Sequence, residues 1–262
     1  MNTASAFRTD VGLRRSVNED SVYSGRSIWA VADGMGGHAA GDVASQLVVK
    51  ALEAADQAYM LRPEDIPAAL AQANREILAH TRKHPETAGM GSTVAGVAQV
   101  VVGEIDHWAV FNVGDSRVYR ILDGRMDRAT VDHSEIEELI MQGRISREQA
   151  RWHEHRNIIT RSMGSDPAPQ VDLKVLPQTP GERFLVCTDG LTGELTDQQI
   201  EQVVLNVADP ALVVEQLISI SLISGARDNV SIIVVDLPEL GFVEADESTL
   251  PRLEVRSEDV GR

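Results

Sequence analysis

Residues 31–45 read VADGMGGHAAGDVAS. An apolar run ends in an aspartate, crosses a loop dense in glycine, and re-emerges with helical spacing. With "SIWAVAD" before it the stretch reads as a buried strand. After it, Val43, Leu47, Val48, Ala51, Leu52 and Ala55 recur on one face of a helix over 41–56. Glycine at the junction removes side chains that would block an approach to Asp33 and to the Gly34 carbonyl. A strand that delivers a carboxylate into a glycine turn can be a plain turn, or it can be presenting oxygen ligands.

The same strand-and-helix alternation extends outward. "PEDIPAALAQANREILAHTRK" is a second amphipathic helix, with Ile66, Leu70, Ala73, Ile77 and Leu78 on one face. The runs "STVAGVAQVVVG", "HWAVFNVGD" and "SRVYRILDGRMDRAT" are rich in strand formers, and Asp123-Gly124 suits a hairpin turn, so an antiparallel meander is expected here. From His133 to about Gly164 a polar, helical-looking segment interrupts the strands, which resume at "VDLKVLP" and "ERFLVCTD". Two more helices, near 196–206 and 210–223, precede a last strand, "NVSIIVVDL". This order predicts an α+β layered architecture, with sheets covered by helices. The acidic, polar residues 239–262 read as a flexible tail beyond a domain at 1–238.

Of the 262 residues, 40 are acidic and 24 are Lys or Arg, a formal charge of −16 that disfavours nucleic acid and anionic membranes as partners. No run approaches the roughly 18 apolar residues of a membrane span, and the N-terminal residues lack a secretory pattern, so a cytoplasmic, monomeric protein is expected. The single cysteine, Cys187, lies in an apolar run and reads as a packing residue.

Aspartates recur at strand termini: Asp33, Asp115 and Asp189 close apolar runs, Asp228 opens the last one, and Asp20 precedes another. If those termini meet, the carboxylates make a pocket of hard oxygen ligands suited to Mg2+ or Mn2+. Their mutual repulsion then calls for cations.

Seven segments, "RRSVNED", "VADGMGGHAAGDVAS", "GST", "VGDSR", "DHS", "TDGL" and "GARDNVSIIVV", in this order and spacing, closely resemble the metal-dependent type 2C serine/threonine protein phosphatases in their compact bacterial form. The resemblance covers about residues 6–237. It implies an α-β-β-α sandwich of two central antiparallel sheets flanked by helices, with residues 133–164 as a flap beside the active site. It implies two or three divalent cations: Asp33 bridging two of them, Gly34 contributing its carbonyl, Asp189 and Asp228 completing one site, and Asp115 with Asp189 holding a weaker third. Glu19 and Asp20 would act mostly through bound waters, with Asn229 in support behind the ligands. Arg15 falls where the family grips the substrate phosphate, with its neighbour Arg14 as the alternative, and a guanidinium fork suits two phosphate oxygens.

The implied reaction is hydrolysis of phosphoserine or phosphothreonine in proteins by direct attack of a hydroxide shared between two cations ~4 Å apart. It would reverse the work of a bacterial Ser/Thr kinase. Other readings are an inactive phosphoprotein-binding module and an esterase for small phosphates. Many eukaryotic members of the family carry histidine directly after the Asp-Gly pair as the acid for the leaving oxygen, whereas this chain has Met35, which leaves His38 or a metal-bound water for the role. Within the flap, Arg144, Arg147, Arg151, Arg156 and Arg161 stand against only Glu148 and Glu154 over residues 143–164, a local reversal of the chain's charge. Arg147 and Arg151 are expected to aid phosphoprotein binding electrostatically. The "HEH" at 153–155 alternates on a helical pattern and is not expected to bind metal.

Overall fold

A computed structural model describes residues 3–36, 40–150 and 152–238 of the chain. His38, Arg151 and the acidic tail from residue 239 lie outside the described residues. Along the chain, β1 (Ala4–Asp10), β2 (Asp20–Ser24) and β3 (Ile28–Met35) lead into the helices α1 (Gly41–Asp56) and α2 (Asp65–Lys83). Strands β4 (Gly91–Ser92), β5 (Val94–Val102), β6 (Ile105–Val113), β7 (Arg117–Leu122) and β8 (Arg125–Arg128) follow. The flap holds two short helices, α3 (Glu135–Met141) and α4 (Arg147–Ala150). The chain then runs through β9 (Asp172–Pro177), β10 (Arg183–Cys187), α5 (Asp189–Thr192), α6 (Asp197–Asn206), α7 (Pro210–Ser224) and β11 (Val230–Asp236).

The strands form two antiparallel sheets. One has the order β1-β11-β10-β7-β8, the other β2-β3-β5-β6-β9 with β4 beside β3. Three apolar layers account for the stacking. Ile28, Ala30 and Ala32 of β3 pack under Val48 and Leu52 of α1 and Leu70 and Ile77 of α2. The alternate β3 residues, Trp29 and Val31, face Trp108, Phe184 and Ile233 between the sheets. Ile232 and Val234 of β11 then turn outward against Val213, Leu217 and Ile200 of α7 and α6. A strand segment with both faces covered has to be apolar, and Ile28–Ala32 of β3 and Ile232–Val235 of β11 are. The helices α1 and α2 cover one sheet, α6 and α7 the other, which is the expected α-β-β-α sandwich.

Asp56, at the end of α1, accepts the backbone N–H groups of Arg26 and Ser27 and the Tyr23 hydroxyl, fixing the helix to the β2–β3 turn. The Asp123-Gly124 turn is as expected, with φ of 51° and 71° on a two-residue hairpin. Cys187 is fully buried in a strand.

Two expectations need correction. The region from 92 to 130 is not one meander: β5 and β6 pair in one sheet, β7 and β8 in the other. The chain changes sheets at Gly114-Asp115-Ser116, where Gly114 has φ of +107° and a Cβ on it would stand 2.6 Å from the Thr93 side chain. Strand-forming composition predicts hairpins but not which sheet each joins. The flap is also less helical than its composition suggests: Gly143, at φ +69°, follows α3, and residues 153–164 are turns and short bridges. His153 and His155 therefore lie in a turn, where His155 Nδ1 meets Glu135 Oε1 at 2.9 Å.

Candidate active site

The acidic strand termini meet at one end of the sandwich, where both sheets contribute. Asp20 opens β2 and Asp33 lies near the end of β3, directly opposite in antiparallel register. Directly opposed residues project from the same face, so the two carboxylates are brought together by pairing alone. From the other sheet, Asp189 follows β10 as the first residue of α5, and Asp228 precedes β11. Gly190 makes this possible, since a Cβ there would lie 1.9 Å from the Asn229 carbonyl oxygen. Asp115 sits at the sheet-to-sheet crossing.

Burial dominates the electrostatics. The Asp20 carboxyl is pushed up to about 7 by burial, and then by the charges of Asp189 and Asp228. Asp33, Asp115 and Asp189 are also raised, again by burial first and next by neighbouring aspartates. Hydroxyl groups partly offset this. Asp20 Oδ2 accepts from Thr188 Oγ1 at 2.9 Å, just after β10, and from Ser231 Oγ at 2.7 Å, on β11 of the opposite sheet. Thr93 Oγ1 accepts the Asp33 N–H at 3.0 Å and is 2.7 Å from Ser116 Oγ.

Three carboxylate oxygens nonetheless have no hydrogen-bond partner: Oδ1 of Asp20, of Asp115 and of Asp189, all buried. An unsatisfied buried oxygen is costly, and several of them grouped in a hard-oxygen setting fit divalent cations. Among the described residues the side chains are gathered without closing into a finished set of three ligands. Asp228 is turned instead toward Arg15, whose Nη2 lies 2.7 Å from its Oδ2.

A cavity of about 540 Å³ opens at this end, lined by Arg15, Glu19, Asp33, Gly34, Asp189 and Asp228, with Met35 and the flap residues Asn157 and Ile159. Arg14 lines neither this cavity nor its neighbour. Gly34 has no room for a side chain: a Cβ would stand 2.1 Å from the Gly41 carbonyl oxygen and 2.6 Å from that of Glu19. Asn229 braces the loop carrying Arg15, with Oδ1 accepting the Glu19 N–H and Nδ2 donating to the carbonyls of Val11 and Val17. Asp20 is buried and is not among the residues lining the cavity. Asp115 lines an adjoining groove, as does Arg147, whose guanidinium is bound to Glu137 at 2.9 Å.

Several contributors escaped the sequence reading although they lie inside its motifs. Thr93, Ser116, Thr188 and Ser231 each stand within three residues of a carboxylate or glycine singled out there, and only the folded geometry shows that their hydroxyls orient the aspartates. His133 of "DHS" is another. Its backbone N–H donates to the Gly114 carbonyl and its Nδ1 accepts the Gly114 N–H at 3.0 Å, so the flap root is tied to the turn that carries Asp115. Burial holds the His133 imidazole below its ordinary range.

A family model described as Protein phosphatase 2C matches residues 14–217. The serine/threonine protein phosphatase PstP of Mycobacterium tuberculosis is 36% identical over 242 residues, covering 90% of this chain and 45% of that protein. The chain thus spans about half the length of this relative. The serine/threonine phosphatase stp of Listeria monocytogenes is 33% identical over 245 residues, covering 88% of this chain and 94% of the relative. The crystal structure of mycobacterial PstP superposes with a TM-score of 0.82 at 36% identity, covering 90% of this chain and 99% of that one. The structure of the PstP catalytic domain in complex with two manganese ions gives 0.81 at 34% identity, with the same coverage.

Proposed function

The chain belongs to the protein phosphatase 2C family, and on that premise we propose that it hydrolyses phosphoserine and phosphothreonine in proteins with the aid of two or three Mn2+ or Mg2+ ions. The observation that carries this reading is the trio of buried, unpartnered carboxylate oxygens on Asp20, Asp115 and Asp189, at the end of the sandwich where Asp33, Asp228 and Arg15 line one cavity. The residues proposed to hold the ions are Asp20, Asp33, Asp115, Asp189 and Asp228, with the Gly34 carbonyl. Divalent cations bound there supply Lewis-acid activation of water and neutralise the acids.

The protein's own groups do the rest. Arg15 stands at the cavity with its guanidinium steered by Asp228, and a planar fork at that position can hold two phosphate oxygens and fix the phosphorus for in-line attack. Its positive charge also counters the charge developing on the equatorial oxygens. Thr188 and Ser231 hold one oxygen of Asp20, which leaves the other directed to a ligand. Asn229 keeps the Arg15 loop in register with β11. Met35 lines the cavity and no described histidine does, so the proton for the leaving serine or threonine oxygen is assigned to water. Residues 1–238 are taken as the catalytic domain, with a flap at 133–164, acting as a monomer in the cytoplasm on phosphoproteins made by a Ser/Thr kinase. No described helix is long and apolar enough to cross a membrane.

The test is phosphate release from a phosphothreonine peptide and from a small aryl phosphate, with Mn2+, with Mg2+ and with chelator, for wild type and Asp189→Asn. Metal-dependent release that disappears in the variant is expected. Folded protein that releases phosphate from neither substrate under any metal refutes the assignment.

A further inference from the structure

A second cavity, of about 580 Å³, runs beside the catalytic one and shares Asn157, Asp189 and Asp228 with it. The flap forms one wall, through Ile140, Arg147, Trp152 and Arg156, and the segment Gly190–Asp197 forms the other. A phosphorylated side chain in the catalytic cavity belongs to a polypeptide whose flank must lie somewhere. This groove is continuous with the cavity and of a size that takes a peptide-scale ligand.

The groove's charges single out one residue. Three of its guanidinium groups are already neutralised: Arg117 by Asp132 at 2.6 Å, Arg147 by Glu137 at 2.9 Å and Arg227 by Glu194 at 2.9 Å. Arg156 has no carboxylate partner among the described residues and is exposed. It also adjoins Asn157, which lines both cavities. Trp152, which lines the same groove, is 83% exposed, an unusual position for a tryptophan and one typical of an interface anchor. Asp115, Asp189 and Asp228 at the catalytic end are engaged by cations in the proposed function.

Resting on that function, we infer that the groove seats the substrate chain flanking the phosphorylated residue, and that Arg156 selects an acidic side chain within a few residues of it. An extended chain advances about 3.3 Å per residue, so a reader one residue from the shared wall senses near positions and not distant ones. Trp152 supplies the apolar surface over which the flank lies.

The test is a set of phosphothreonine peptides carrying Glu, Ala or Lys at each of the four positions on either side. Each is assayed with Mn2+ as the ratio of its kcat/KM to that for a small aryl phosphate. Wild type should favour Glu over Lys at one or two positions by about three- to tenfold, the range of a partly exposed ion pair reinforced by its reversal. Arg156→Glu should invert that preference, while Arg125→Glu, on the distant β7–β8 hairpin, should leave it intact. Binding of the same peptides to Asp189→Asn gives a second readout independent of turnover. Wild type that turns over all peptides alike, or an Arg156→Glu variant that keeps the preference, overturns the inference and leaves the phosphatase assignment standing. Absence of turnover on the peptides and the aryl phosphate together overturns both.

Discussion

Asparagine at position 20 should make the metal-free protein more stable, and by an amount that depends on pH. The Asp20 carboxyl sits at about 7 against an ordinary 3.8, because burial and the neighbouring aspartates disfavour its charge. The native state therefore holds a proton that the unfolded chain has already lost, so stability falls as pH rises from about 3.8 to about 7 and is level beyond. At about 1.4 kcal/mol for each tenfold change in the protonation equilibrium, the full penalty is on the order of 4 kcal/mol. An amide carries no such penalty. Its oxygen can still accept from Thr188 and Ser231, and its N–H groups face the acids. In chelator, Asp20→Asn should gain little over wild type at pH 4.5 and on the order of 10 °C in melting temperature at pH 7.5. His133, whose depressed value acts in the opposite sense, titrates in both proteins and cancels in the difference. Melting curves with chelator from pH 4.5 to 8 are the assay, and adding Mn2+ should close the gap by stabilising wild type more than the variant. A difference that does not grow with pH, or a variant less stable at pH 7.5, refutes the claim that uncompensated carboxylate burial limits the metal-free protein.

Two further outcomes follow from packing. Gly34→Ala places a methyl 2.1 Å from the Gly41 carbonyl oxygen, which backbone on both sides prevents from yielding; urea unfolding should show a loss of about 1–3 kcal/mol, and calorimetry a weaker Mn2+ affinity. Glu182 is fully buried and accepts from Trp108 Nε1 at 2.6 Å, Arg120 Nε at 2.7 Å and the Thr179 N–H at 2.7 Å. Glu182→Ala should cost about 3 kcal/mol or more in urea unfolding, and adding Arg120→Met should recover part of it, because the damage lies in the charge left behind.

Much of the frame was legible because its physics is local. Helices α1, α2 and α6 announce themselves by apolar spacing, α7 by a largely apolar run too long for a strand, and β3 and β11 by runs apolar on both faces. The aspartates were found by their position at strand ends, and turn residues placed Asp123-Gly124 correctly. Strand β1 was missed because its edge position leaves it mostly exposed, with no apolar alternation to read. The crossing at Gly114 was invisible because sheet membership is decided by packing far along the chain. Arg147 looked like a free positive charge in sequence. Its partner Glu137 lies ten residues earlier on another helix, and no helical spacing links the two. The hydroxyls of Thr188 and Ser231 have their meaning only through Asp20, which is more than 160 residues away.

The lacing of Asp20 to the far sheet also has a consequence for synthesis. The residues proposed to hold cations arrive between positions 20 and 228, and Asp20 is clasped by residues emerging more than 160 positions later. Strand β1, the first described, pairs along its whole length with β11, the last. A ribosome-bound chain that has completed the sheet ending in β9 at Pro177 therefore still lacks Asp189 and Asp228, two of the six residues proposed to hold cations, and long-range closures of this kind form late. On the proposed function, a chain cut short before the final strand would have Asp20 without the Ser231 hydroxyl that clasps it and β1 without its pairing partner, so hydrolytic competence would wait on the docking of β11.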